Sequence, residues 1–410
     1  MGPWIFWMSA AFVAYVYVGY PILLEVWARW SARRTRSQSA IDRTSSELPG
    51  VSIVVAARNE AARLGKRVAN LLAADYPADR RQIIVVSDGS NDDTPSVLAE
   101  FGDEVELVAV PLGGKASALN AGVACARHDI LVFADARQTF APDALRALTA
   151  PFVDPRVGGV TGELILGCEA GGRRTAQNRR RRTASPQIER RVGDRRNDGQ
   201  SSIAEGVGLY WRYEKRLRRL ESCVSSTLGA TGAIYALRRS LWRPLPAGTI
   251  LDDVLAPMRA VLAGSRVVFE ERARAFDAAS LNSSQESRRK VRTLAGNYQI
   301  LALEPRLLVP VVNPVWIQYV SHKIGRLLTP YALVAMLASS AALAASHPVY
   351  LAAFSAQLAF YLLGAYGGWL EATRNTATRA ARVAFTFIVM NWAAVAGLRA
   401  ALSGQEVWRR

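Results

Sequence analysis

The chain has 410 residues, half of them hydrophobic, and a formal net charge of +17. That length and apolar share allow more than one folded unit and exclude a disordered chain, while the charge favours an anionic partner. Three scattered cysteines (Cys125, Cys168, Cys223) without a CxxC pair, and three histidines (His128, His322, His347) without ligand spacing, argue against a disulfide framework or a zinc centre and fit a reducing compartment.

Residues 4–28, WIFWMSAAFVAYVYVGYPILLEVWA, are long and apolar enough to cross a bilayer and carry interfacial Trp and Tyr. No Lys or Arg precedes them, while Arg29, Arg33, Arg34 and Arg36 come directly after, the reverse of a cleaved secretory signal. The expectation is a retained anchor over 1–30, with the next part of the chain in the cytoplasm.

From 49 to 300 strands and helices alternate. VSIVVAA (51–57) is a β-branched run, and NEAARLGKRVANLLAA has helical spacing. QIIVVSD is a second strand, followed by a helix start at Asp93, Thr94 and Pro95. VELVAVP is a third strand, KASALNAGVACARH a helix and DILVFAD a fourth strand. This alternation predicts an α/β domain with a mostly parallel sheet. In such sheets ligands bind beyond the carboxyl ends of the strands, where Asp88 and Asp135 both fall. One acid after one strand is common because Asp favours turns; two are less easily dismissed.

GGVTGELIL reads as a further strand and EGVGLYWRYEKRLRRLES as a helix. Between them, 172–202 form an insertion low in apolar residues and expected to be disordered; over 172–196 it holds ten Arg against Glu189 and Asp194, a local +8. Anionic-lipid or RNA contact would suit that charge, but a solvated loop at the cytoplasmic membrane side is the plainer expectation, and no nucleic-acid partner is expected. Residues 305–326 mix apolar residues, Pro and a few bases, as an interfacial stretch would. Three membrane helices are expected within 328–402, with SHP (346–348) as a turn and Arg374, Arg379 and Arg382 on the cytoplasmic side.

VVAARNEAARL, VVSDGSNDDT, GGKASALNAG, FADARQ, ATGAIYALRR and ILDDVLAPM occur in the order seen in family 2 glycosyltransferases. The chain resembles the membrane-bound members, the cellulose-, chitin- and hyaluronan-synthase-like proteins, over about residues 50–300 and in the spans around them. The resemblance implies a Rossmann-like GT-A domain flanked by transmembrane helices. It also implies an inverting hexosyl or N-acetylhexosaminyl transfer from a nucleotide-sugar, UDP-linked, to a growing polysaccharide or a lipid-linked acceptor at the membrane.

Carried over position by position, the resemblance places the nucleotide at Ala57, Asn59, Glu60 and Asp88. It places the diphosphate at Lys115, where a helix N-terminus adds its N–H groups. Asp135 would hold Mg2+ or Mn2+ against the diphosphate. Arg137 departs from the family, standing where a second acid often stands; it would contact a phosphate or an acid beside it, with a purely structural salt bridge as the rival. Asp252 and Asp253 align with the family's acidic pair, Asp252 in place of the usual Glu and Asp253 as the general base. Capping of a helix near Val254 is the competing reading of the pair. Thr231, Gly232 and Ala233 would line the acceptor site.

The family's QxxRW motif is degraded. Either Gln285 pairs with Arg288, or Arg289 with Arg292; the second register is preferred because Gly296 then falls where a small residue often comes next. A basic helix face carrying Arg289 and Arg292 would close over the diphosphate, and the missing Trp weakens the case for processive synthesis. The alternative from another class is a catalytically inactive, basic, membrane-tethered binding protein that reuses the fold.

Overall fold

The computed structural model describes residues 1–35, 48–166, 201–277, 283–373, 375 and 377–403. Almost all of the Arg-rich insertion, Arg374 and the basic tail lie outside these residues.

Eight strands are present among them: β1 (Val51–Ala57), β2 (Arg81–Asp88), β3 (Glu106–Val110), β4 (Ile130–Asp135), β5 (Thr139–Phe140), β6 (Val157–Leu166), β7 (Ile234–Arg238) and β8 (Arg266–Asp277). They form one sheet in the order β3-β2-β1-β4-β7-β6-β8-β5. The first four in that order run parallel, and so do β6 and β8. β7 is antiparallel between β4 and β6, and β5 antiparallel on β8. The sheet is therefore mostly parallel, as the alternation implied. Its central strands read as unbroken apolar runs because both faces are covered. The register sets Ala57 beside Ser87 and Ala56 beside Asp135, so β1, β2 and β4 end along one edge.

One face is packed by the helix Ala61–Leu72, whose Leu64, Val68 and Leu71 meet Ile53, Val55 and Val85. The spacing of those three residues is that of a helical stripe. The other face is packed by the helices Lys115–Ala124 and Asp252–Leu262, through Ala118, Leu119, Leu255 and Met258 against Val54, Ile84 and Phe133. This second core continues through Ile300, Leu307 and Val315 to Tyr319.

Four helices are long and apolar enough to cross a membrane: Gly2–Ser31, Trp316–Leu343, Pro348–Ala372 and Arg379–Leu402. The second differs from the sequence expectation, which divided it into an interfacial stretch and a span. It is continuous from Trp316, with one widened π-helical turn at Tyr319–Ile324. The polar residues that suggested an interfacial surface are turned into the protein, Ser321 and His322 being buried. The last two helices approach closely where Gly364 and Gly367 meet Ala384 and Ala381, the small-residue packing that membrane helices favour.

The helix Lys115–Ala124 sits on the sheet at Gly122, where a Cβ would lie 2.5 Å from Val54 Cγ1 and 2.9 Å from Val86 Cγ2. Gly122→Val overpacks this contact. It should lower the unfolding free energy by about 1–3 kcal/mol, read as a lower thermal midpoint in detergent, with an unchanged midpoint as the contrary result.

Candidate active site

The strand-end loops are laced to one another. After β1, Asn59 takes a φ of 53°, a left-handed conformation that Asn tolerates. Its Oδ1 accepts from the Asn91 N–H at 3.0 Å, and its own N–H donates to Ser90 Oγ at 3.2 Å. Asp92 accepts from the N–H groups of Ala61 and Thr94, fastening the starts of both adjoining helices. The expected start at Thr94 is present, but Asp92 supplies the side-chain bond and Asp93 does not. Ala57 is buried at the end of β1, and Glu60 pairs with Arg63 at 3.0 Å.

Asp88 is buried, and its carboxylate accepts from the N–H groups of Gly113 at 2.7 Å and Gly114 at 3.0 Å. It thereby holds the turn that opens the helix Lys115–Ala124. Gly114 has a φ of 83°, which a side chain would resist. Lys115 Nζ then reaches 3.0 Å from Asp135 Oδ1 and 3.2 Å from Asp252 Oδ1.

Asp253 completes the cluster. Its Oδ2 accepts from the Gly232 N–H at 2.8 Å. A Cβ on Gly232 would lie 3.2 Å from that oxygen and 3.7 Å from Lys115 Nζ. Four distant segments therefore meet at one point: the end of β4, the start of the Lys115 helix, the turn before β7 and the start of the helix Asp252–Leu262. Asp252 is buried, and its Oδ2 accepts from Tyr235 Oη at 3.3 Å. Tyr235 is held in turn by stacking on Phe133, with ring centroids 4.7 Å apart. Neither acid caps the helix, whose N-cap is Leu251 with no side-chain bond.

Burial pushes the Asp253 carboxyl up and Asp252 pushes it further, while Lys115 and the Gly232 N–H oppose; the net result is a pKa pushed up to about 6. Burial alone would lower the Lys115 pKa, but Asp135, Asp252 and Asp253 outweigh it and hold the ammonium above its ordinary range.

Other expected residues are placed differently. Arg137 is half exposed and donates to Asp277 Oδ2 at 2.7 Å, an acid brought to it from a distant strand. Asp277 ends β8 and also accepts from Gln138 Nε2 at 3.0 Å. The strand-end rule that found Asp88 and Asp135 passed over Asp277 because β8 does not stand out as a strand in the sequence. Of the three expected acceptor residues, Gly232 faces the carboxylates. Thr231 is buried with its N–H on Thr161 Oγ1, and the Ala233 methyl packs in the core, which removes it from the acceptor space. Arg289 and Arg292 are exposed on the helix Ser283–Leu303. That helix is tied to the segment before the acidic pair. A Cβ at Gly296 would meet Leu251, and Gln299, which sequence reasoning missed, bonds the Ile250 N–H and the Gly248 carbonyl at 3.0 and 2.9 Å.

Among the described residues no three His, Cys, Asp or Glu side chains converge as metal ligands. Asp135 has an oxygen beyond the one bonded to Lys115, and Arg137 stands where a second acid would help. So small a donor set fits a hard divalent ion when phosphate oxygens complete its shell.

Residues 52–215 match the family model described as glycosyl transferase family 2. The chain is 33% identical over 135 residues to a beta-monoglucosyldiacylglycerol synthase of Synechocystis sp., covering 32% of this chain and 28% of that protein. It is 32% identical over 120 residues to a poly-beta-1,6-N-acetyl-D-glucosamine synthase of Staphylococcus aureus, covering 28% of this chain and 29% of that one. The match thus spans less than a third of these relatives' length. A solved mannosyltransferase of Pyrobaculum calidifontis, in complex with GDP-Man and Mn2+, aligns over 98% of this chain and 99% of its own with a TM-score of 0.64 and 21% identity. The sheet and the likeness to that structure define a GT-A-like fold flanked by apolar helices. Residues 52–215, less than half of the chain, are thus similar to glycosyl transferase family 2.

Asp277→Ala would strip the buried Gln138 amide of its acceptor and release Arg137. A loss of about 1–3 kcal/mol of stability is expected, measured as a lower melting temperature. A melting temperature equal to that of the parent would show that this pair holds nothing in place.

Proposed function

We propose that the protein moves a hexosyl or N-acetylhexosaminyl group, with inversion, from a nucleotide-sugar, UDP-linked by family resemblance, to a lipid-linked or saccharide acceptor at the cytoplasmic face of a membrane. One observation carries the reading: Lys115 joins Asp135, at the end of β4, to Asp252 at 3.0 and 3.2 Å, and Asp253 stands next to them on Gly232.

The roles come from position. The nucleotide lies over the strand ends, at Ala57, Asn59, Glu60 and Asp88, with Asp88 acting through the Gly113–Gly114 turn it fastens. The diphosphate meets the first N–H groups of the helix Lys115–Ala124 and the Lys115 ammonium. Asp135 is the residue to hold Mg2+ or Mn2+, which would neutralise the leaving diphosphate's charge. Arg289 and Arg292 would approach the diphosphate from the helix tied to the acidic pair through Gly296 and Gln299.

An acceptor hydroxyl attacks the anomeric carbon from the face opposite the diphosphate, and Asp253 takes its proton. A carboxylate lifted to about 6 is better matched to that task than an ordinary one. Asp252, bonded to Lys115 and Tyr235, orients the site. Gly232, without a side chain, leaves room for a sugar ring beside the base. The cytoplasmic placement is supported by charge at the helix ends: Arg29 at the end of the first apolar helix, and Arg379 and Arg382 at the start of the last. Residues 52–215 and the apolar helices suit both a glycolipid and a polysaccharide product, and the mass and sugar content of product made in membranes supplied with a panel of donors would decide between them.

Asp253 works only when ionised, and its raised pKa keeps it protonated in mild acid. Turnover should therefore climb through about pH 6 and level off above it. Asp253→Asn should cut turnover by about 10²–10⁴-fold with donor binding retained. A purified protein that hydrolyses or transfers no sugar from any donor would favour the binding-protein alternative.

A further inference from the structure

We propose that the turn Leu308–Val312 is a membrane wedge: its apolar side chains enter the bilayer surface, with lipid acyl chains as their partner, and seat the sheet domain there. This rests on the membrane placement proposed above and not on the chemistry of transfer.

Outside the four long apolar helices, seven large apolar side chains are exposed among the described residues. Three of them, Leu107, Leu112 and Val153, are not adjacent in the chain. The other four, Leu308, Val309, Val311 and Val312, fall within five consecutive positions that Pro310, also exposed, completes. Val311 is 93% exposed. Single exposed apolar residues need no explanation, whereas an unbroken run of them marks a contact surface.

The turn is clamped from inside. Leu307, just before it, is buried in the core shared with the helix Asp252–Leu262, and Asn313, just after it, is buried too. Asn313 ties the two ends together: its Nδ2 donates to the Leu307 carbonyl at 2.8 Å and its N–H to the Val309 carbonyl at 2.9 Å. Trp316 Nε1 donates to the Leu308 carbonyl at 2.8 Å. The Val309 N–H donates to the Arg306 carbonyl at 3.1 Å, and Pro310 has no N–H to satisfy. Backbone groups paired within the protein are what an apolar medium demands, because it offers them no other partner. With its ends fixed, the tip cannot fold back on the core, so it meets its partner at little further ordering cost.

Position names the partner. The helix Trp316–Leu343 runs antiparallel to the first apolar helix: a Cβ on Gly2 would touch Leu343, one on Gly325 would touch Val16, and the Tyr20 and His322 rings have centroids 6.1 Å apart. Continued along that pairing, Trp316 and the turn before it stand level with the part of the first helix where the apolar run gives way to Glu25 and Arg29. That is the height of a membrane surface, and a Trp is the residue such a height favours. Exposed Ile317 and a groove of about 220 Å³, lined by Phe12, Tyr15, Trp316 and Val320 among others, carry the apolar surface on from the turn along both helices. Lipid filling that groove would meet the turn as well. So short a segment does not cross a bilayer; it reaches the headgroups and the first acyl carbons, the depth of an interfacial anchor.

The test uses the full chain in phosphatidylcholine vesicles, with a photo-crosslinking residue placed at one site at a time (Val311→p-benzoylphenylalanine, then the same change at Val334 and at Val153). Lipid adducts are counted by mass spectrometry after irradiation. Val334, exposed on the helix Trp316–Leu343, is the reference for lipid, and Val153, exposed outside the long helices, is the reference for water. Val311 should give lipid adducts as Val334 does, and Val153 none. Adding Val309→Asp and Val312→Asp should bring the Val311 adduct down to the Val153 level, since charge at the tip opposes entry into hydrocarbon. Adducts at Val334 but none at Val311 overturn the wedge and leave the membrane placement standing. So does a Val311 crosslink to a second copy of the chain, or a lipid adduct that survives both aspartates. Absence of adducts at Val334 as well would sink the membrane placement itself, and the wedge with it.

Discussion

Lys115 bridges Asp135 and Asp252 with Asp253 close by, and the candidate site depends on that one cation. Brought together without it, three like charges in a half-buried site would repel, and one or more would take up a proton. The cation is delivered by backbone geometry. Asp88 grips two consecutive N–H groups, the Gly113–Gly114 turn takes a shape that glycine allows, and the Lys115 helix sits flat on the sheet at Gly122. A buried acid at the end of β2 thus acts at a distance, through a turn and a side chain, on an acid at the end of β4.

The adjacent acids show how one helix sets identical side chains in different environments. Asp252 is buried and has a cation on one oxygen and a phenol on the other. Asp253, one residue on, is less buried and accepts one backbone bond. Helical geometry turns consecutive residues about 100° apart, so neighbours in the chain enter different surroundings. The Tyr235–Phe133–Trp242 stack beneath them, with centroid separations of 4.7 and 5.0 Å, makes the phenol a fixed post rather than a swinging one.

Much of this architecture is legible in the sequence. The strands from β1 to β4 show as apolar runs, and Asp88 and Asp135 stand out by their place at strand ends. Lys115 and the acidic pair come from motifs in order. The residues that escape reading have partners far away in the chain. Asp277 lies 140 positions from Arg137, Gln299 reaches back to Ile250, and Tyr235 meets Asp252 across a loop. Ala233 reads as part of an acceptor lining because it is small, but smallness serves a tight core equally well. The helix from Trp316 reads as two pieces because its polar residues suggest water, whereas Ser321 and His322 are buried within the protein.

The continuity of that helix has a mechanical result. Tyr319 is buried in the core shared with the Lys115 and Asp252 helices, and the same helix runs on through its π-helical turn and Pro330 to Leu343. A helix rises about 1.5 Å per residue and does not stretch, so the distance from core to bilayer is set by counting residues. Were that helix to cross a bilayer, a change in membrane thickness would act on the domain packed around Tyr319 through this one element.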